Sequence, residues 1–255
     1  MKKRIVIKLG TGVLSTPAGK SLDTEQFTRI AAEVAALEKE GHACILVSSA
    51  AIAAGVRVLK LKQRPDDLSG KQACAAAGQP ELMRLYATSF KKHGLAVAQL
   101  LLTHGDIDSF MRRDNARNTL DCLLERGAVP IINENDSVAV EELRFGDNDR
   151  LSAEVSILAQ ADHLFILTSV DGLQDSKGKR VPKVRDISEA FRFVREDKGE
   201  ESVGGMKTKL EAVRKVSAAG ISAHILDGRK PAQLHAALHG KDVGTSFPAR
   251  PHIRP

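Results

Sequence analysis

A dense set of carboxylates and carboxamides occupies residues 133–149, directly after an apolar run. It contains Asn133, Asp136, Asp147, Asn148 and Asp149. Side chains of these types bind amino groups, hydroxyls or hydrated cations, and the ligands of an open α/β sheet bind where its strands end. The same residue types are common in exposed turns. The segment is therefore a candidate binding site, with a turn-rich surface loop as the alternative.

A lysine and two glycines follow the first apolar run of the chain, at Lys8, Gly10 and Gly12. Glycines let the backbone approach a ligand closely, and exposed N–H groups bind phosphate oxygens. A lysine that ends a buried parallel strand is expected to direct its ammonium group into the ligand crevice. The spacing matches neither a dinucleotide fingerprint nor a P-loop, and a lysine at the sheet rim is the alternative.

A second candidate for anion binding is the pair Gly204-Gly205, which is predicted to form a loop leading into a helix at Met206. Lys207 and Lys209 would then lie in the first helical turn, where the positive end of the helix dipole disfavours cations. Lysines in that position indicate a bound polyanion. The alternative is a flexible loop with solvated lysines.

Two further segments follow predicted strands. Residues 47–55 pass from a strand into a helix of small residues, whose N-terminal amides could bind an anion, although tight alanine packing explains the same pattern. Residues 168–173 could hold a base or a ribose, or form a turn. These segments contain no histidine, and the eight histidines show no metal-ligand spacing or nucleophile pair. Lysines, backbone amides and carboxylates together indicate phosphoryl transfer, which depends on positioning and charge stabilisation.

Composition narrows the class of protein. The 255 residues suit a single domain over residues 1–255. The net charge of +6 is not concentrated in a basic run and Trp is absent, so nucleic acid is not an expected partner. Three cysteines suggest buried, reduced thiols. The N-terminal apolar run is too short for a signal peptide, and no stretch could span a bilayer, so we expect a cytoplasmic protein without membrane contact.

Strands and helices are predicted to alternate along the chain. This order predicts an α/β fold with an open, mainly parallel sheet sandwiched between helices. Residues 138–145 could form a small hairpin or arm, and residues 174–185 and 196–201 are expected to be exposed, mobile connections. The predicted strands are 5–8, 43–48, 95–102, 129–132, 163–168 and 222–226, and the main predicted helices are 23–40, 71–92, 107–125, 151–160 and 206–219.

Several of these motifs together resemble the glutamate 5-kinases of the amino acid kinase family. The resemblance runs in order over nearly the whole chain. Its most discriminating part is Ile-Asn-Glu-Asn-Asp at residues 132–136 followed by Gly-Asp-Asn-Asp at residues 146–149. The other matching motifs are Ile-Lys-Leu-Gly-Thr at 7–11, Ser-Ser at 48–49, Gln-Leu-Leu-Leu-Thr at 99–103, Asn-Ala-Arg-Asn-Thr at 115–119 and Gly-Gly-Met-Lys-Thr-Lys at 204–209.

The resemblance implies that the chain phosphorylates the side-chain carboxylate of L-glutamate with ATP and Mg²⁺, the first step of proline biosynthesis. A glutamate carboxylate with a pKa of about 4.3 is already ionised at neutral pH, so the reaction needs no general base. By the same resemblance Lys8 and Lys209 neutralise charge on the transferring phosphoryl group, Asp149 holds both lysines, and Mg²⁺ is carried mainly by ATP.

The resemblance also assigns the binding residues. Glutamate would be bound by Ser49, Asn133, Asp136, Asp147 and Asn148. ATP would be bound by Lys8, Gly10, Thr11, Thr168, Ser169, Val203, Gly204, Gly205, Met206, Lys207, Thr208 and Lys209.

Four positions depart from the family pattern: Ala50 replaces a usual Gly, Ser169 a usual Asp, and Ser202-Val203 a usual Gly-Thr. The expected C-terminal PUA domain is missing, so we expect a kinase domain alone. Proline as a feedback inhibitor and assembly into a homodimer or homotetramer are further implications. The alternatives are a related kinase acting on aspartate, acetylglutamate or carbamate, and a nucleotide or amino-acid sensor without turnover.

Overall fold

The computed structural model describes residues 2–16, 21–138, 147–194 and 200–249, with the backbone alone at 147 and 200–204. Its centre is a seven-stranded sheet in the order β3-β4-β2-β1-β5-β6-β7. All neighbouring strands are parallel except β6 and β7. The strands are β1 Arg4–Leu9, β2 Ala43–Val47, β3 Ala96–Leu102, β4 Ala128–Glu134, β5 His163–Thr168, β6 Ser222–Asp227 and β7 Thr245–Phe247.

Helices cover both faces of this sheet, which confirms the predicted fold class. Side-chain caps mark several of their N-termini: Asp23 accepts hydrogen bonds from two amides of the following helix, and Thr103 forms a capping box with Asp106. The helices are α1 Thr11–Leu14, α2 Thr24–Lys39, α3 Ala51–Val58, α4 Leu68–Lys91, α5 His104–Asp108, α6 Phe110–Glu125, α7 Asp147–Leu158, α8 Ile187–Ala190, α9 Glu200–Ala218 and α10 Gln233–Leu238.

The core consists of two apolar layers, one on each face. The first layer lies between the sheet and helices α5 to α9, and the second between the sheet and helices α1 to α4 and α10. Successive side chains of a strand point to opposite faces. In β1, Val6 belongs to the first layer, whereas Ile5 and Ile7 belong to the second. Lys8 therefore points to the face that carries α7 and α9.

The order of the strands creates a crevice at the carboxyl end of β1. From β1 the chain proceeds to the neighbouring β2, then to the edge strand β3, and returns to β4 between β3 and β2, whereas β5 and β6 lie on the other side of β1. Such a reversal of strand order separates the loops that follow neighbouring strands and opens a ligand site between them. The loops after β1, β2, β4 and β5 all reach this edge.

The six predicted strands are all present, and the differences concern boundaries and short elements. The predicted helix 107–125 consists of α5 and α6, which meet at Ser109. The antiparallel strand β7 and the short helices α8 and α10 were not predicted, because three to six residues carry too little periodicity. Residues 139–145 of the expected arm lie outside the described residues, as do residues 196–199.

Two predictions about exposure were partly wrong. Residues 174–180 are mostly exposed as expected, but Val184 is buried, and its amide donates to the carbonyl of Ser246 beside the sheet. Cys44 and Cys74 are buried as expected, whereas Cys122 is exposed on α6. In the described part of the chain, no helix has both the length and the apolar character needed to cross a membrane.

The start of α9 overturns one interpretation. The helix begins at Glu200, so Gly204 and Gly205 lie inside it and do not form a loop before it. Lys207 and Lys209 consequently lie beyond the first turn, and the argument from the helix dipole does not apply to them. Each glycine costs a helix only about 1 kcal/mol, which burial of the helix face offsets.

Candidate active site

Two lysines and a carboxylate meet at the carboxyl end of β1. The ammonium group of Lys8 lies 2.6 Å from Asp149 Oδ1, and that of Lys209 lies 3.1 Å from Asp149 Oδ2. Thr208 donates a hydrogen bond of 2.8 Å to the same Oδ2. The cluster thus carries two positive charges and one negative charge. Its excess positive charge faces the crevice and suits a polyanionic ligand.

Each member of the cluster is positioned by a different element. Lys8 lies on the central strand, Asp149 is the third residue of α7, and Lys209 lies in the middle of α9. The ammonium group of Lys209 also donates to the Gly205 carbonyl at 2.9 Å, which holds it one turn back along its own helix. A carboxylate near the start of α7 is favoured by the helix dipole.

Burial and charge act in opposite directions on these groups. Burial would raise the pKa of Asp149, but the ammonium groups of Lys8 and Lys209 outweigh it and lower the pKa below its usual value. Burial also lowers the pKa of Lys209, against the opposing effect of Asp149. Asp149 is therefore a fixed negative charge that orients two cations, and it is a poor candidate for a general base.

The first glycine segment lies beside this cluster. Gly10 is the N-cap residue of α1, and a Cβ atom there would lie 3.8 Å from the Lys8 ammonium group. A Cβ atom at Gly12 would lie 3.7 Å from the hydroxyl of Ser169. The loops after β1 and β5 are thus adjacent, with Thr168 ending β5. A phosphate chain placed there would contact backbone amides and the lysine together.

The loop after β2 forms another side of the crevice. Ser49 is buried there, and the neighbouring Ser48 hydroxyl lies 2.8 Å from the Tyr86 hydroxyl. Ala50 has a φ of 79°, in the left-handed region that favours glycine. Ala50 therefore keeps the backbone geometry that a glycine would adopt freely, although the departure from the family pattern adds a methyl group at this point.

Asn133 occupies a supporting position. Its Nδ2 donates to Gln79 Oε1 at 2.9 Å, and its Oδ1 accepts from the amide of Glu134 at 2.9 Å. Gln79 in turn donates to Gln99 at 2.8 Å. The alternation of β4 directs Asn133 toward α4, on the face opposite Lys8. A direct contact between this carboxamide and substrate remains a prediction.

The remaining predicted glutamate ligands lie around the end of β4. Asp136 is in the turn that follows this strand, and Asn148 Oδ1 accepts from the Glu134 amide at 3.4 Å. Only the backbone of Asp147 is described, at the start of α7. Asn148 and Asp149 are consecutive, so the predicted substrate residues and the lysine cluster share the beginning of one helix.

The predicted ATP residues do not all face the cluster. Thr208 and Lys209 contact Asp149, and Gly205 contributes its carbonyl oxygen. Lys207 is exposed, and Met206 packs against the first core layer. Thr11 is exposed in α1, while the side chain of Val203 and the surroundings of Gly204 lie outside the description. The roles of these residues remain predictions.

A buried polar cluster next to the site was missed from the sequence. His104 Nδ1 lies 2.8 Å from Glu154 Oε2, and its Nε2 lies 4.0 Å from Glu134 Oε2. Lys215 donates to Glu154 Oε1 at 2.9 Å. These residues come from α5, β4, α7 and α9. The available signal was Glu154, a charged residue at a core-facing position of α7, because burying its carboxylate without a partner would be costly.

The histidines provide a correction to the sequence analysis. His235 and His239 are four residues apart on and just after α10, so both lie on one face of this helix. Their ring nitrogens and a carboxylate oxygen of Glu40 all lie within 4.8 Å of one another. The expectation that the histidines lack metal-ligand spacing passed over the four-residue interval between His235 and His239, which α10, Gln233–Leu238, and the residue after it bring to one side.

Two glutamate 5-kinases are similar to this chain over nearly its whole length. A glutamate 5-kinase of Thermus thermophilus is 48% identical over 257 residues, a match that covers 99% of this chain and 69% of the relative. A glutamate 5-kinase of Anaeromyxobacter dehalogenans is 44% identical, over 98% of this chain and 68% of the relative.

Solved structures with low sequence identity share the fold. UMP kinase of Bacillus anthracis superposes with a TM-score of 0.64 at 17% identity, over 97% of this chain and 96% of that chain. An N-acetylglutamate synthase of Neisseria gonorrhoeae gives a TM-score of 0.71 at 16% identity, and this chain spans 60% of its length. The sequence pattern of the Amino acid kinase family matches residues 3–227. The resemblance noted from the motifs is thereby confirmed, and the chain belongs to the amino acid kinase family.

Proposed function

We propose that this chain transfers the γ-phosphoryl group of ATP to the side-chain carboxylate of L-glutamate, giving L-glutamyl 5-phosphate in proline biosynthesis. The observation that carries the proposal is the buried cluster of Lys8, Asp149 and Lys209 beside the glycine loop after β1. The choice of glutamate as the acceptor rests on similarity to glutamate 5-kinases over nearly the whole chain.

The reaction joins two anions, and the cluster addresses this difficulty. A glutamate carboxylate oxygen forms a bond to the γ-phosphorus while the bond from this phosphorus to the β–γ bridging oxygen breaks. The bridging oxygen keeps the electron pair and leaves as part of ADP. The nucleophile is already ionised, so no proton has to be removed. Lys8 and Lys209 stabilise the negative charge that spreads over the phosphoryl oxygens, and Asp149 fixes their positions before the reaction.

Magnesium fits this site as a companion of the nucleotide. Asp149, the buried carboxylate of the cluster, already contacts two ammonium groups, which makes it an unsuitable direct ligand for a hard cation. Phosphate oxygens of ATP would hold the ion, whose charge adds to that of the lysines.

We place the amino group of glutamate near Asp136, which follows the end of β4, and near Asn148, which lies at the start of α7.

The test is an acceptor panel with purified protein, ATP and Mg²⁺, in which hydroxylamine traps acyl phosphates as hydroxamates. L-Glutamate, L-aspartate, N-acetyl-L-glutamate and carbamate are compared, and ADP release is followed in parallel. We expect glutamate-dependent ADP release and hydroxamate. Hydroxamate from another acceptor but not from glutamate would contradict the proposal and indicate a related kinase activity. Binding of ATP and glutamate without ADP release would indicate a sensor.

The finer expectations are tested on the same protein. We propose that proline competes with glutamate, that the protein forms a homo-oligomer, and that it acts in the cytoplasm. Proline added to the glutamate reaction should raise the KM for glutamate with little change in kcat. Light scattering coupled to size-exclusion chromatography measures the mass of the assembly directly.

A further inference from the structure

Two imidazoles and a carboxylate converge at the edge of the molecule opposite the candidate active site. His235 Nε2 lies 3.1 Å from Glu40 Oε1, and His239 Nε2 lies 3.9 Å from Glu40 Oε2. The two rings are stacked with centroids 4.1 Å apart. Glu40 follows α2 and precedes β2, so the group lies near the amino ends of the strands.

The hydrogen bond of His239 selects the tautomer that a metal requires. Its Nδ1 lies 2.9 Å from the carbonyl oxygen of His235, and a carbonyl oxygen only accepts. Nδ1 therefore carries a proton, and in the neutral ring Nε2 has the free lone pair. That nitrogen is the one that faces Glu40. Histidine ligands of metals characteristically donate their second ring N–H to a carbonyl or carboxylate in this way.

A third histidine lies beside the carboxylate but does not complete the set of ligands. The amide of Lys3 donates to His42 Nδ1 at 3.2 Å, so the proton of the neutral His42 ring is on Nε2. This Nε2 lies 3.7 Å from Glu40 Oε2. His42 thus presents an N–H group to Glu40 and has no lone pair to offer a cation from that nitrogen. His42 is therefore a neighbour of Glu40 and not a ligand of the proposed site.

We propose that His235, His239 and Glu40 form a binding site for a divalent transition metal ion such as Zn²⁺. Tetrahedral zinc with ligand distances of about 2.0–2.1 Å needs donor atoms about 3.3 Å apart. The distances of 3.1 and 3.9 Å run to different oxygens of Glu40, and the three ligand atoms lie within 4.8 Å of one another, so rotations of these exposed side chains would bring them to that spacing. Two nitrogen donors favour Zn²⁺ over Mg²⁺ or Ca²⁺, which prefer oxygen. The side chains are 35–49% exposed, so an ion can enter from solvent.

The site would fix the end of a short helix to α2. Helix α10 has six residues, and its start is already held by Glu33, whose carboxylate accepts from the amides of Ala232 and Leu234. Glu33 and Glu40 are two helical turns apart and so lie on the same side of α2. Glu33 holds one end of α10, and a metal on Glu40 would hold the other.

The experiment measures zinc binding by untagged protein in a Cys122→Ser background, because the exposed thiol could bind zinc by itself. Metal is removed with a chelator, and Zn²⁺ is titrated in competition with a chromogenic chelator at pH 7.5. We expect one equivalent bound with micromolar or tighter affinity. His235→Ala and His239→Ala should each weaken it at least tenfold, whereas the control His93→Ala should bind like the parent.

A second readout and a further variant test the same metal site. Thermal unfolding should shift upward with Zn²⁺ in the parent and in His93→Ala, but not in the double variant His235→Ala/His239→Ala. Glu40→Gln provides a nearly isosteric variant if an alanine variant fails to fold. Equal zinc binding by the double variant and the parent, or no zinc binding by the parent at 100-fold excess over protein, would overturn the proposal and leave a surface pairing of histidine with glutamate.

Discussion

At the scale of single residues, the chemistry depends on how Asp149 divides its two oxygens between two lysines. Oδ1 contacts Lys8 and Oδ2 contacts Lys209, so each ammonium group has a fixed direction. Lys209 comes from a helix and Lys8 from a strand, and only the carboxylate joins them. The protein's own contacts therefore fix the arrangement of the cluster, which is the condition for electrostatic stabilisation of a transition state.

Lys209→Ala should lower kcat by about 100-fold or more, because the lost contact strengthens as charge develops on the phosphoryl group. The KM for glutamate should change little, since the proposed acceptor contacts lie at Asp136 and Asn148. Steady-state kinetics with glutamate as the varied substrate measures both constants. The exposed Lys92→Ala serves as the control and should retain parental values. A large rise in the glutamate KM with unchanged kcat would place Lys209 on the acceptor instead.

At the scale of elements, Glu154 connects three parts of the chain. It accepts from His104 at the start of α5 and from Lys215 on α9, while it belongs to α7 itself. Burial would raise the pKa of Glu154, but these two partners lower it to about 2. The ionised carboxylate therefore stabilises the packing of α5, α7 and α9, which includes the helix that carries Asp149.

Glu154→Gln should lower the free energy of unfolding by about 3 kcal/mol, because it removes the buried carboxylate that pairs with His104 and with the more exposed Lys215. Urea denaturation at pH 7 measures the change, with the exposed Glu211→Gln as the control. The contribution of Glu154 is present above its ordinary pKa of 4.5 and is lost as the pH falls toward about 2. The difference between parent and variant should therefore shrink over that interval; a constant difference would contradict the assignment.

Helices α3 and α4 cross so closely that only glycine fits at the contact. A Cβ atom at Gly78 would lie 1.9 Å from the Ala51 carbonyl oxygen, and one at Gly55 would lie 1.8 Å from that of Cys74. This contact positions the loop with Ser49 and Ala50 at the N-terminus of α3. The sequence had left anion binding and tight packing open for this segment, and the packing is present.

Gly78→Ala should destabilise the protein by about 3 kcal/mol or more, because backbone atoms of α3 cannot move aside as a side chain can. Gly205→Ala is the matched comparison, since a Cβ atom there meets nothing within 4 Å in α9. It should be neutral or stabilising by up to about 1 kcal/mol, as alanine is the better helix former. Thermal and urea unfolding without nucleotide measure both changes. Similar losses for the two variants would show that helix crossing is not the cause.

At the scale of the whole molecule, the two ends of the sheet have different chemistry. The carboxyl ends of the strands carry the lysine cluster, whereas the amino ends carry histidines. Burial lowers the pKa of His163 to about 4, with a further contribution from Lys3. Burial also lowers the pKa of His224 to about 4, and His163 adds to this effect. Both rings are neutral in the folded protein at neutral pH.

Stability should fall as the pH drops from about 6.5 to 4, because the unfolded chain then takes up protons on these histidines that the folded chain does not. His224→Phe should reduce this loss, since the ring packs near Phe165 and its Nδ1 has no hydrogen-bond partner among the described residues. Urea midpoints measured across this pH interval test the expectation, with His93→Gln as the control. If the stability of His224→Phe depended on pH as strongly as that of the parent, His224 would be excluded as a source of the loss of stability.

Much of this protein was determined by its sequence alone. The six main strands, the alternation with helices and the family motifs are local patterns, because burial on a strand or helix imposes a period that the sequence displays. Lys8, Asp149 and Lys209 were identified by the resemblance of their motifs to a family, and the membership of the chain in that family is confirmed. Short elements such as α10 were missed, since six residues carry almost no period.

Only the tertiary structure decided which side chains meet. Lys209 and Asp149 are 60 residues apart, and their contact depends on the packing of α9 against α7. The alternation of β4 turned Asn133 toward Gln79 and away from the lysine cluster. Glu40 reaches His235 and His239 only because α10 folds back along α2. Local preference sets each element, whereas distances between elements follow from burying all apolar faces at once, which a linear pattern does not record.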